Sequence, residues 1–476
     1  MATTSTQSYA YVRSSSMSGD GLLDLETSGG VSTLSKGTSS TVETSPNEVQ
    51  AHPRFFSGWM SEAEPAAAAL LGLANVAAAH YYRRTPTPYR DPVVTCDGER
   101  LRFESFSACC GVYARLDVLP DGIEGDWLAR GTTNVDINSG LRFALGRVRG
   151  ADPLRLGIGP DGLEAATLDG VAVERKVPLP GRWLRGFAQV QALTSGFEPR
   201  AGLAAAEAAR FLRGLPNTSR GVMWAMPAGR GLRLTTRAMP GAVCLPGTER
   251  LKELLALLRF GGALTVYGPA LSAGAALPVS SCWQLDLPGM RMTLALSPEA
   301  SRGFSGEGAV LAALAGEDVS DDAEEIGRLL DFQGRIDPDV LADRSGLSRE
   351  RVRAALSLLG TSGRVGFDAA QAAFFHRELP YDAARAMKDN PRLAAAQALV
   401  EAGAVIRKGD ISIVCSDEAA AAAGGGHQVR FTGDDQASCT CMWWMEYRGG
   451  RGPCKHVLAA QLERRGVLAT ASAEEG

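Results

Sequence analysis

Hydrophobic and polar positions alternate with a period of two over much of the first 300 residues. Over 92–148, 154–177 and 221–297, short apolar-polar runs end at Gly, Pro or Asp, as half-buried strands do. The clearest hairpin joins Cys282–Leu287 to Met290–Leu296 through a Pro-Gly turn. These regions predict antiparallel sheets.

A second set of segments has apolar residues three or four positions apart, which predicts helices. The longest is Glu62–Tyr82, where Ser61 and Glu64 suit a helix N-terminus. Shorter helices are expected over Leu203–Leu212 and Leu251–Leu258. The sequence therefore predicts a multidomain α+β protein with an antiparallel β-rich N-terminal part.

The pattern becomes helical beyond residue 319. Three helices are expected, over Ala323–Leu330, Ile336–Ser345 and Arg349–Leu359, and Gly363–Phe367 follows as a wing strand. This order resembles a winged helix-turn-helix, with Ser348 capping the third helix. Its small core would consist of Val340, Leu341, Leu347, Val352, Leu356 and Leu359.

The N-terminal segment has a different composition from the rest of the chain. Residues 1–50 contain twenty Ser or Thr and almost no aromatic residues, so they cannot bury enough apolar area to offset their ordering entropy. The expected layout is a disordered tail at 1–50, an α+β domain at 51–215, a second β-rich region at 216–318, a winged-helix-like segment at 319–400, a small Cys- and His-containing module at 408–466 and a tail at 467–476.

Three cysteines and one histidine near the C-terminus have the spacing of metal ligands. Cys439-Thr440-Cys441 is followed, after twelve residues, by Cys454-Lys455-His456. Three thiols and one imidazole supply four ligands to one tetrahedral Zn²⁺ and leave no coordination position for water. A closed site of this kind is structural, and metal binding would be coupled to folding. Cys415 and His427 lie just upstream as competing ligands, and we expect Ile411–Cys415 to pair with His427–Phe431 as a hairpin, with Cys415 in the core.

The pattern C-x-C-x12-C-x-H resembles the SWIM-type zinc finger over about 50 residues. The resemblance implies a small ββα zinc module that binds DNA or protein, with Cys439, Cys441, Cys454 and His456 as its ligands. The longer chain also looks like the bacterial SWIM-finger proteins. A link to an ATPase-containing assembly is implied by this resemblance alone.

Aromatic and basic residues are interleaved in and around the metal-ligand spacer. Such residues can stack on bases and neutralise phosphates, can form a protein-interface hot spot, or can simply cover the metal site. The candidate contact residues here are Arg430, Trp443, Trp444, Arg448, Arg451 and Lys455. Arg349, Arg351 and Arg353 begin the third helix of the winged-helix-like segment, where a recognition helix contacts DNA, although Asp337, Asp339, Asp343 and Glu350 oppose their charge.

The N-terminal β-rich part offers weaker candidates for a site. Arg115, Asp117, Asn134 and Asp136 would line a pocket if the strands bring them together; otherwise they belong to solvated strand faces and turns. Cys109 lacks a nearby His or other activating group in the sequence. A second metal site from His80, Cys96, Cys109 and Cys110 matches no defensible spacing.

Composition restricts the remaining function classes. The net charge of −4 argues against a polyanion-binding surface over the whole protein. Nine cysteines in 476 residues, an odd number, fit a reducing cytoplasm rather than a disulfide scaffold. No signal peptide is visible, and the most apolar run, 65–79, is too short to cross a membrane.

Signatures of catalysis are absent from the sequence: there is no phosphate-binding loop, no H-E-x-x-H and no G-x-S-x-G. We therefore expect a cytoplasmic, non-catalytic protein with one structural zinc, no membrane contact and no indicated small-molecule ligand. It would bind DNA or a protein partner. The alternatives are a protein-binding adaptor without nucleic-acid contact, and an enzyme with an unrecognised site in the N-terminal β domain.

Overall fold

The computed structural model describes residues 7–11, 16–17, 22–24, 28–32, 54–81, 92–177, 179–217, 221–271, 277–299, 303–304, 319–379, 391–415, 425–432, 436–449 and 451–474. Helices and strands are mixed through these ranges, and every strand pairing within them is antiparallel. The predicted combination of helices with antiparallel sheets is therefore confirmed.

The chain forms two compact units that do not follow sequence order. The first comprises Met1–Ser305, Leu330–Ile336 and Gly363–Pro380, and the second comprises Gly306–Leu329, Asp337–Ser362 and Tyr381–Gly476.

The strands of the first unit build its sheets. They are β1 (Gln7–Tyr11), β2 (Ser16–Met17), β3 (Leu22–Asp24), β4 (Ser28–Ser32), β5 (Phe56–Met60), β6 (Val93–Cys96), β7 (Leu101–Phe106), β8 (Val112–Val118), β9 (Ile123–Trp127), β10 (Gly131–Asn134), β11 (Arg155–Gly159), β12 (Gly162–Thr167), β13 (Gly170–Arg175), β14 (Leu179–Pro180), β15 (Glu198–Leu203), β16 (Met223–Ala228), β17 (Gly231–Thr235), β18 (Val243–Leu245), β19 (Leu264–Gly268), β20 (Ser281–Leu287), β21 (Met290–Leu296), β22 (Val365–Asp368) and β23 (Ala373–His376). The largest sheet has eight strands in the order β10-β6-β7-β8-β21-β20-β19-β15, and a second has five in the order β13-β12-β11-β5-β9. The predicted hairpin is present as β20 and β21.

The helices of the first unit are α1 (Ala63–Ala78), α2 (Ser139–Arg147), α3 (Gly181–Thr194), α4 (Ala205–Arg213) and α5 (Lys252–Leu257). Helix α1 packs on β7, β8 and α5, and most of its alanine and leucine side chains are buried. Its N-cap residue is Glu62 rather than the expected Ser61, and the Glu62 side chain makes no capping hydrogen bond. The sequence analysis did not predict α2 or α3.

Charged side chains fill part of the interior of the first unit. Arg102 on β7 lies opposite Asp117 on β8, and Asp117 lies opposite Arg291 on β21. We call six of these side chains the charge ladder: Asp97, Arg102, Arg115, Asp117, Arg291 and Asp368. Its ion pairs join nitrogen and oxygen atoms 2.7–3.2 Å apart. Within this set three arginines balance three aspartates and every member is buried; the buried Arg100 also lies 3.5 Å from Asp97.

A strand is present where the sequence predicts the wing, but it belongs to the first unit. β22 pairs with β23 as a hairpin, and Asp368 at the end of β22 forms ion pairs with Arg115 and Arg291. The ring of Phe375 on β23 lies 4.0 Å beneath the Arg102 guanidinium carbon. The hairpin thus completes the charge ladder.

Three helices of the second unit fall where the sequence predicts them: α6 (Val319–Leu329), α7 (Pro338–Ser345) and α8 (Arg349–Thr361). The Ser348 hydroxyl caps α8 by accepting a hydrogen bond from the Arg351 amide at 3.3 Å. Of the expected core residues, Leu341, Val352, Leu356 and Leu359 are buried and Leu347 is partly buried. Val340 was wrongly placed there: its side chain is 52% exposed, because it lies on the outer face of α7.

The remaining elements of the second unit are α9 (Pro391–Glu401), β24 (Val405–Lys408), β25 (Ile411–Val414), β26 (His427–Thr432), β27 (Gln436–Cys439), α10 (Met442–Tyr447) and α11 (Lys455–Glu474). The four strands pair in sequence order, and α9 packs against α11. The expected hairpin is confirmed, since Ile411 pairs with Arg430 and Val414 with His427. Helix α11 continues through residues that the sequence analysis treats as a tail.

Four short strands lie in the N-terminal segment, for which the sequence predicts disorder. β1 pairs with β4, and β2 pairs with β3; the rest of residues 1–50 falls outside the described ranges. Among the helices of the described ranges, none has both the length and the apolar character needed to cross a membrane.

Candidate metal centre

Four predicted ligands come together where β27, α10 and α11 meet their connecting loops. Cys439 is the last residue of β27, and Cys441 is the N-cap residue of α10. Cys454 directly precedes α11, and His456 is its second residue. Each C-x-C or C-x-H pair therefore spans the start of a helix, where the chain turns sharply enough for residues i and i+2 to face one point.

The ligand atoms form a compact and buried group, which we call the Cys3His cluster. One atom from each of Cys439, Cys441, Cys454 and His456 lies within 4.8 Å of the other three. The His456 imidazole Nδ1 lies 3.9 Å from the Cys439 sulfur. All four residues are buried, His456 being the most exposed at 8%. In the described part of the chain, this is the one group of three or more Cys, His, Asp or Glu residues arranged to hold a metal.

Backbone amides support two of the three sulfurs. The Trp444 amide donates to the Cys441 sulfur at 3.4 Å, and the Val457 amide donates to the Cys454 sulfur at 3.5 Å. N–H donors at a helix start favour a thiolate over a neutral thiol. Such contacts also orient a sulfur toward a bound metal. The two helix starts therefore position the sulfurs and favour their ionised form.

The sulfurs are close enough to share protons. Hydrogen bonding with Cys439 lowers the pKa of the Cys454 thiol to about 4, and the same bond is the main reason that the pKa of Cys439 rises well above its usual value. Burial raises the pKa of Cys441. The group thus ionises once with ease and resists further ionisation, because several thiolates in a buried space repel one another.

These residues fit one zinc ion. Ligands about 2.0–2.3 Å from a zinc stand roughly 3.3–3.8 Å apart at the corners of a tetrahedron, so a group within 4.8 Å requires a contraction of only about 1 Å at its longest edge. A divalent cation also supplies the charge that stabilises several neighbouring thiolates. The three sulfurs and the His456 imidazole would hold the ion, and they complete a tetrahedral set.

The two competing ligands lie outside this group. The Cys415 thiol is buried and donates to the Gly425 carbonyl oxygen at 3.0 Å, which agrees with the expected core position. His427 lies closer: its ring centroid is 4.2 Å from that of His456. It packs against a ligand, but it is not a member of the Cys3His cluster.

Two of the predicted contact residues, Trp443 and Arg451, interact with other side chains of the module. The Trp443 ring contacts the guanidinium groups of Arg392 and Arg451, whose central carbons lie 4.7 and 4.9 Å from its centroid. Arg451 is buried and also lies 4.8 Å from the Tyr447 ring centroid. Both indoles, Trp443 and Trp444, pack against the core that contains the three cysteines. For Trp443 and Arg451, a covering role fits better than a role in binding a partner.

Arg392 is a supporting residue that the sequence analysis missed. It lies near the start of α9, and its guanidinium donates to the carbonyl oxygens of Arg451 and Pro453 at 2.8 and 3.2 Å. It thereby fixes the loop that leads into Cys454. No spacing rule connects Arg392 with the ligands; the only local signal is an arginine directly after the proline that begins a helix.

Three predicted cations remain exposed around the metal centre. Arg430 lies on β26, Arg448 follows α10, and Lys455 begins α11. None of the three forms an ion pair with another described residue. Two methionines on α10, Met442 and Met445, are also exposed, at 75% and 57%. The module surface therefore combines free positive charge with an apolar patch.

The arginines of α8 differ from one another. Arg349 forms an ion pair with Asp339 at 3.0 Å, and Arg351 makes two hydrogen bonds to Asp322 at 2.6 and 2.7 Å. Arg353 is exposed and has no ion-pair partner in the described ranges. Two of the three candidate DNA contacts are therefore paired within their own unit.

The candidate pocket in the N-terminal part does not assemble. Arg115 and Asp117 are buried partners 2.9 Å apart in the charge ladder. The Asn134 side chain instead donates to the Val177 carbonyl oxygen. Asp136 instead influences Glu174. Burial is the main reason that the pKa of Glu174 rises to about 7, and the nearby charge of Asp136 is the second reason.

The remaining thiols form no second metal group with His80 in the described ranges. Cys109 nevertheless has a nearby cation that the sequence does not reveal. A Cβ on Gly111 would lie 3.3 Å both from the Cys109 sulfur and from the Arg250 guanidinium.

Comparison with known proteins does not identify a family for this chain. No family model matches it, and no curated protein matches it. Among solved structures, it is similar to the proliferating cellular nuclear antigen of Entamoeba histolytica, with a TM-score of 0.34 and 10% identity over 52% of this chain and 99% of that one. It is also similar to PCNA from Thermococcus kodakaraensis, with a TM-score of 0.35 and 12% identity over 51% of this chain and 100% of that one. Likeness at this level assigns no function to the chain.

Proposed function

We propose that this chain is a non-catalytic recognition protein whose C-terminal module is held together by one structural zinc and binds DNA or a protein partner. The observation that carries the proposal is the buried Cys3His cluster, whose four ligand atoms lie within 4.8 Å of one another. Three sulfurs and one nitrogen fill a tetrahedral set, so no position remains for a reacting water. The zinc would stabilise a surface rather than catalyse a reaction.

The arrangement of elements supports the resemblance to a SWIM-type finger. The first ligand pair ends the β26–β27 hairpin, and the second begins α11, which is the order of a ββα module. We therefore propose membership of that family on the ligand spacing and this order together. The winged-helix-like segment would provide a second contact with DNA, with Arg353 as its most available cation.

DNA is the first candidate partner of the module. Arg430, Arg448 and Lys455 are exposed on three elements around the metal centre, and their charges are not neutralised by other described residues. Cations in this setting are suited to phosphate oxygens. Trp444 is partly exposed and is the aromatic residue better placed to contact a base, since Trp443 is already in contact with two arginines.

A protein partner is the second candidate, and the exposed pair of methionines supports it. Met442 and Met445 are three residues apart on α10, so they share one face. Methionine is common at protein-binding surfaces because its side chain adapts to different shapes. In this version the chain is an adaptor, and the cations around the module set the orientation of the partner.

A gel-shift experiment with the full-length, zinc-loaded chain separates the two candidates. Substitution of Arg430, Arg448 and Lys455 by alanine should weaken retardation of a duplex at low salt. The variant Met442→Ser with Met445→Ser is the matched control and should leave retardation unchanged. If instead the methionine variant alone loses a stoichiometric partner from a nuclease-treated extract, the adaptor version is correct. If neither variant alters binding of any partner, the module is not the recognition surface.

A further inference from the structure

A long acid-free stretch that contains several arginines lies in the first unit, away in sequence from the metal ligands. Residues 208–248 contain six arginines and no aspartate, glutamate or lysine, although the whole chain has a net charge of −4. Five of the six arginines are described and exposed, namely Arg210, Arg213, Arg230, Arg233 and Arg237. The net charge of the whole chain does not reveal this local excess of positive charge. Whether these arginines form one surface depends on where the fold places them.

The fold brings three of these arginines to one groove. Helix α4 supplies Arg210, and the β16–β17 hairpin supplies Arg230 at its turn and Arg233 on β17. They line an open groove of about 610 Å³ whose floor includes Phe211, Leu232 and Leu234. The two sides of the groove come from elements that contact each other directly.

The positive charge of this groove is largely uncompensated. Glu207 is the one acidic residue that lines it. Neither Arg210, Arg230 nor Arg233 forms an ion pair with a residue of the described ranges. This contrasts with Arg102, Arg115 and Arg291, each of which is balanced by an aspartate. Exposed arginines without acidic partners are free to meet an external anion.

We infer that this arginine groove binds the phosphate backbone of double-stranded DNA without regard to sequence. Guanidinium groups form paired hydrogen bonds with phosphate oxygens, and arginines on a helix and on a hairpin are able to contact successive phosphates. The only aromatic lining residue, Phe211, is 8% exposed, so no ring is available to stack on an unpaired base. Backbone contact without stacking favours a duplex over a single strand.

This surface is separate from the proposed role of the zinc module, because it lies wholly in the first unit. The two proposals also fail independently. Loss of the Cys3His cluster would abolish binding by the module and leave the groove unchanged. Loss of the groove arginines would leave zinc binding unchanged.

Fluorescence anisotropy of two labelled 20-base-pair duplexes of unrelated sequence, with the full-length chain, tests the inference. Both duplexes should bind equally, and the logarithm of the association constant should fall with the logarithm of salt; the groove should contribute about −3 to that slope if its three arginines neutralise three phosphates. The variant Arg230→Ala with Arg233→Ala should bind about tenfold more weakly or worse at 50 mM salt, and its slope should be shallower by about 2.

The control removes the same charge elsewhere in the first unit. Arg175 and Arg335 are exposed and unpaired within the described ranges, and Arg175→Ala with Arg335→Ala should bind like the unaltered chain. The variant Cys439→Ser with Cys454→Ser should keep the groove-dependent part of binding. The inference is overturned if the groove variant binds normally, if the control loses as much affinity, or if the chain binds anionic vesicles or an acidic protein while ignoring duplex DNA.

Discussion

The two units each contain a buried polar cluster, and the clusters differ in how their charges are balanced. In the first unit, three arginines and three aspartates of the charge ladder neutralise one another. In the second, three thiols and an imidazole lie within 4.8 Å of one another, without any opposite charge supplied by their own side chains. A buried polar cluster whose own side chains balance their charges is stabilised by the folded protein alone. One that consists of ligands alone needs an ion from outside.

This contrast also separates two uses of arginine in the chain. Buried arginines of the charge ladder hold β22 and β23 on the large sheet, while the exposed arginines of the groove have no acidic partners in the described ranges. The same residue type therefore serves folding in one place and is available for binding in another. Pairing, rather than composition, distinguishes the two.

The largest expected effect is the loss of the metal. Chelation, or Cys454→Ser, should unfold the C-terminal module, since metal-coupled folding energies for structural zinc are on the order of 10–16 kcal/mol at neutral pH. Limited proteolysis should then cleave within 405–464, while the first unit stays resistant. Cys415→Ala is the matched control: it removes a buried thiol that is not a ligand and should keep a protected module. Equal protection of Cys454→Ser would contradict the metal-dependent account.

The second effect is on the charge ladder. Asp368→Asn leaves Asp117 as the one remaining carboxylate paired with both Arg115 and Arg291, so the ladder keeps an uncompensated buried positive charge, and removing one side of a buried ion pair costs about 3–5 kcal/mol. Urea unfolding should show that loss in the transition of the first unit. Asp126→Asn, at an exposed aspartate of β9, should change the free energy of unfolding by less than about 0.5 kcal/mol. If both substitutions lower the free energy of unfolding by the same amount, the charge ladder makes no specific contribution to stability.

Acid should weaken the first unit through the same residue. Burial by itself would raise the pKa of Asp368, but Arg115 and Arg291 hold that pKa well below its usual value of 3.8. A carboxylate whose folded pKa is depressed contributes stability above its unfolded pKa and loses that contribution as pH falls toward the folded pKa. The unfolding free energy should therefore decline below about pH 4, and it should decline less steeply in Asp368→Asn. Equal acid dependence of both proteins would argue against this role.

The smallest expected effect concerns the support of the metal loop. Arg392→Ala removes two hydrogen bonds to the loop before Cys454 and the contact of Arg392 with the Trp443 ring. Supporting contacts of this kind typically change metal affinity by about 10–100-fold, and competition with a chromophoric chelator measures that change. Arg407→Ala, at an exposed position on β24, should leave zinc affinity unaltered. An unchanged affinity in Arg392→Ala would show that the loop holds its conformation without this clamp.

Local signals account for what the sequence predicted correctly. The hairpin of β20 and β21, the pairing of β25 with β26, the Ser348 cap and the ligand set are all defined by residues close together in the chain. Helix α3 was missed because Gly181 and Gly186 weaken its helical pattern. Gly186 has a packing reason instead, since a Cβ there would lie 2.8 Å from the Phe106 ring.

Long-range pairing explains the other failures. Asp368 meets Arg115 across 253 positions of sequence, and Arg392 meets Pro453 across 61; neither partner has a local signature. Arg115 and Asp117 were noted as candidates for a pocket or for solvated strand faces, and neither alternative is right, because their ladder partners on β21 and β22 cannot be recognised from sequence. The arginine groove was readable in part, as an acid-free stretch, although its shape depends on the fold.

Native mass spectrometry of the full-length chain tests the central claim most directly, because it counts the ions that each molecule holds. The account predicts one zinc per chain in the unaltered protein and in Cys415→Ala, and none in Cys439→Ser or Cys454→Ser. A chain that carries no metal after expression with ample zinc, and whose protease resistance is indifferent to chelators, would contradict it.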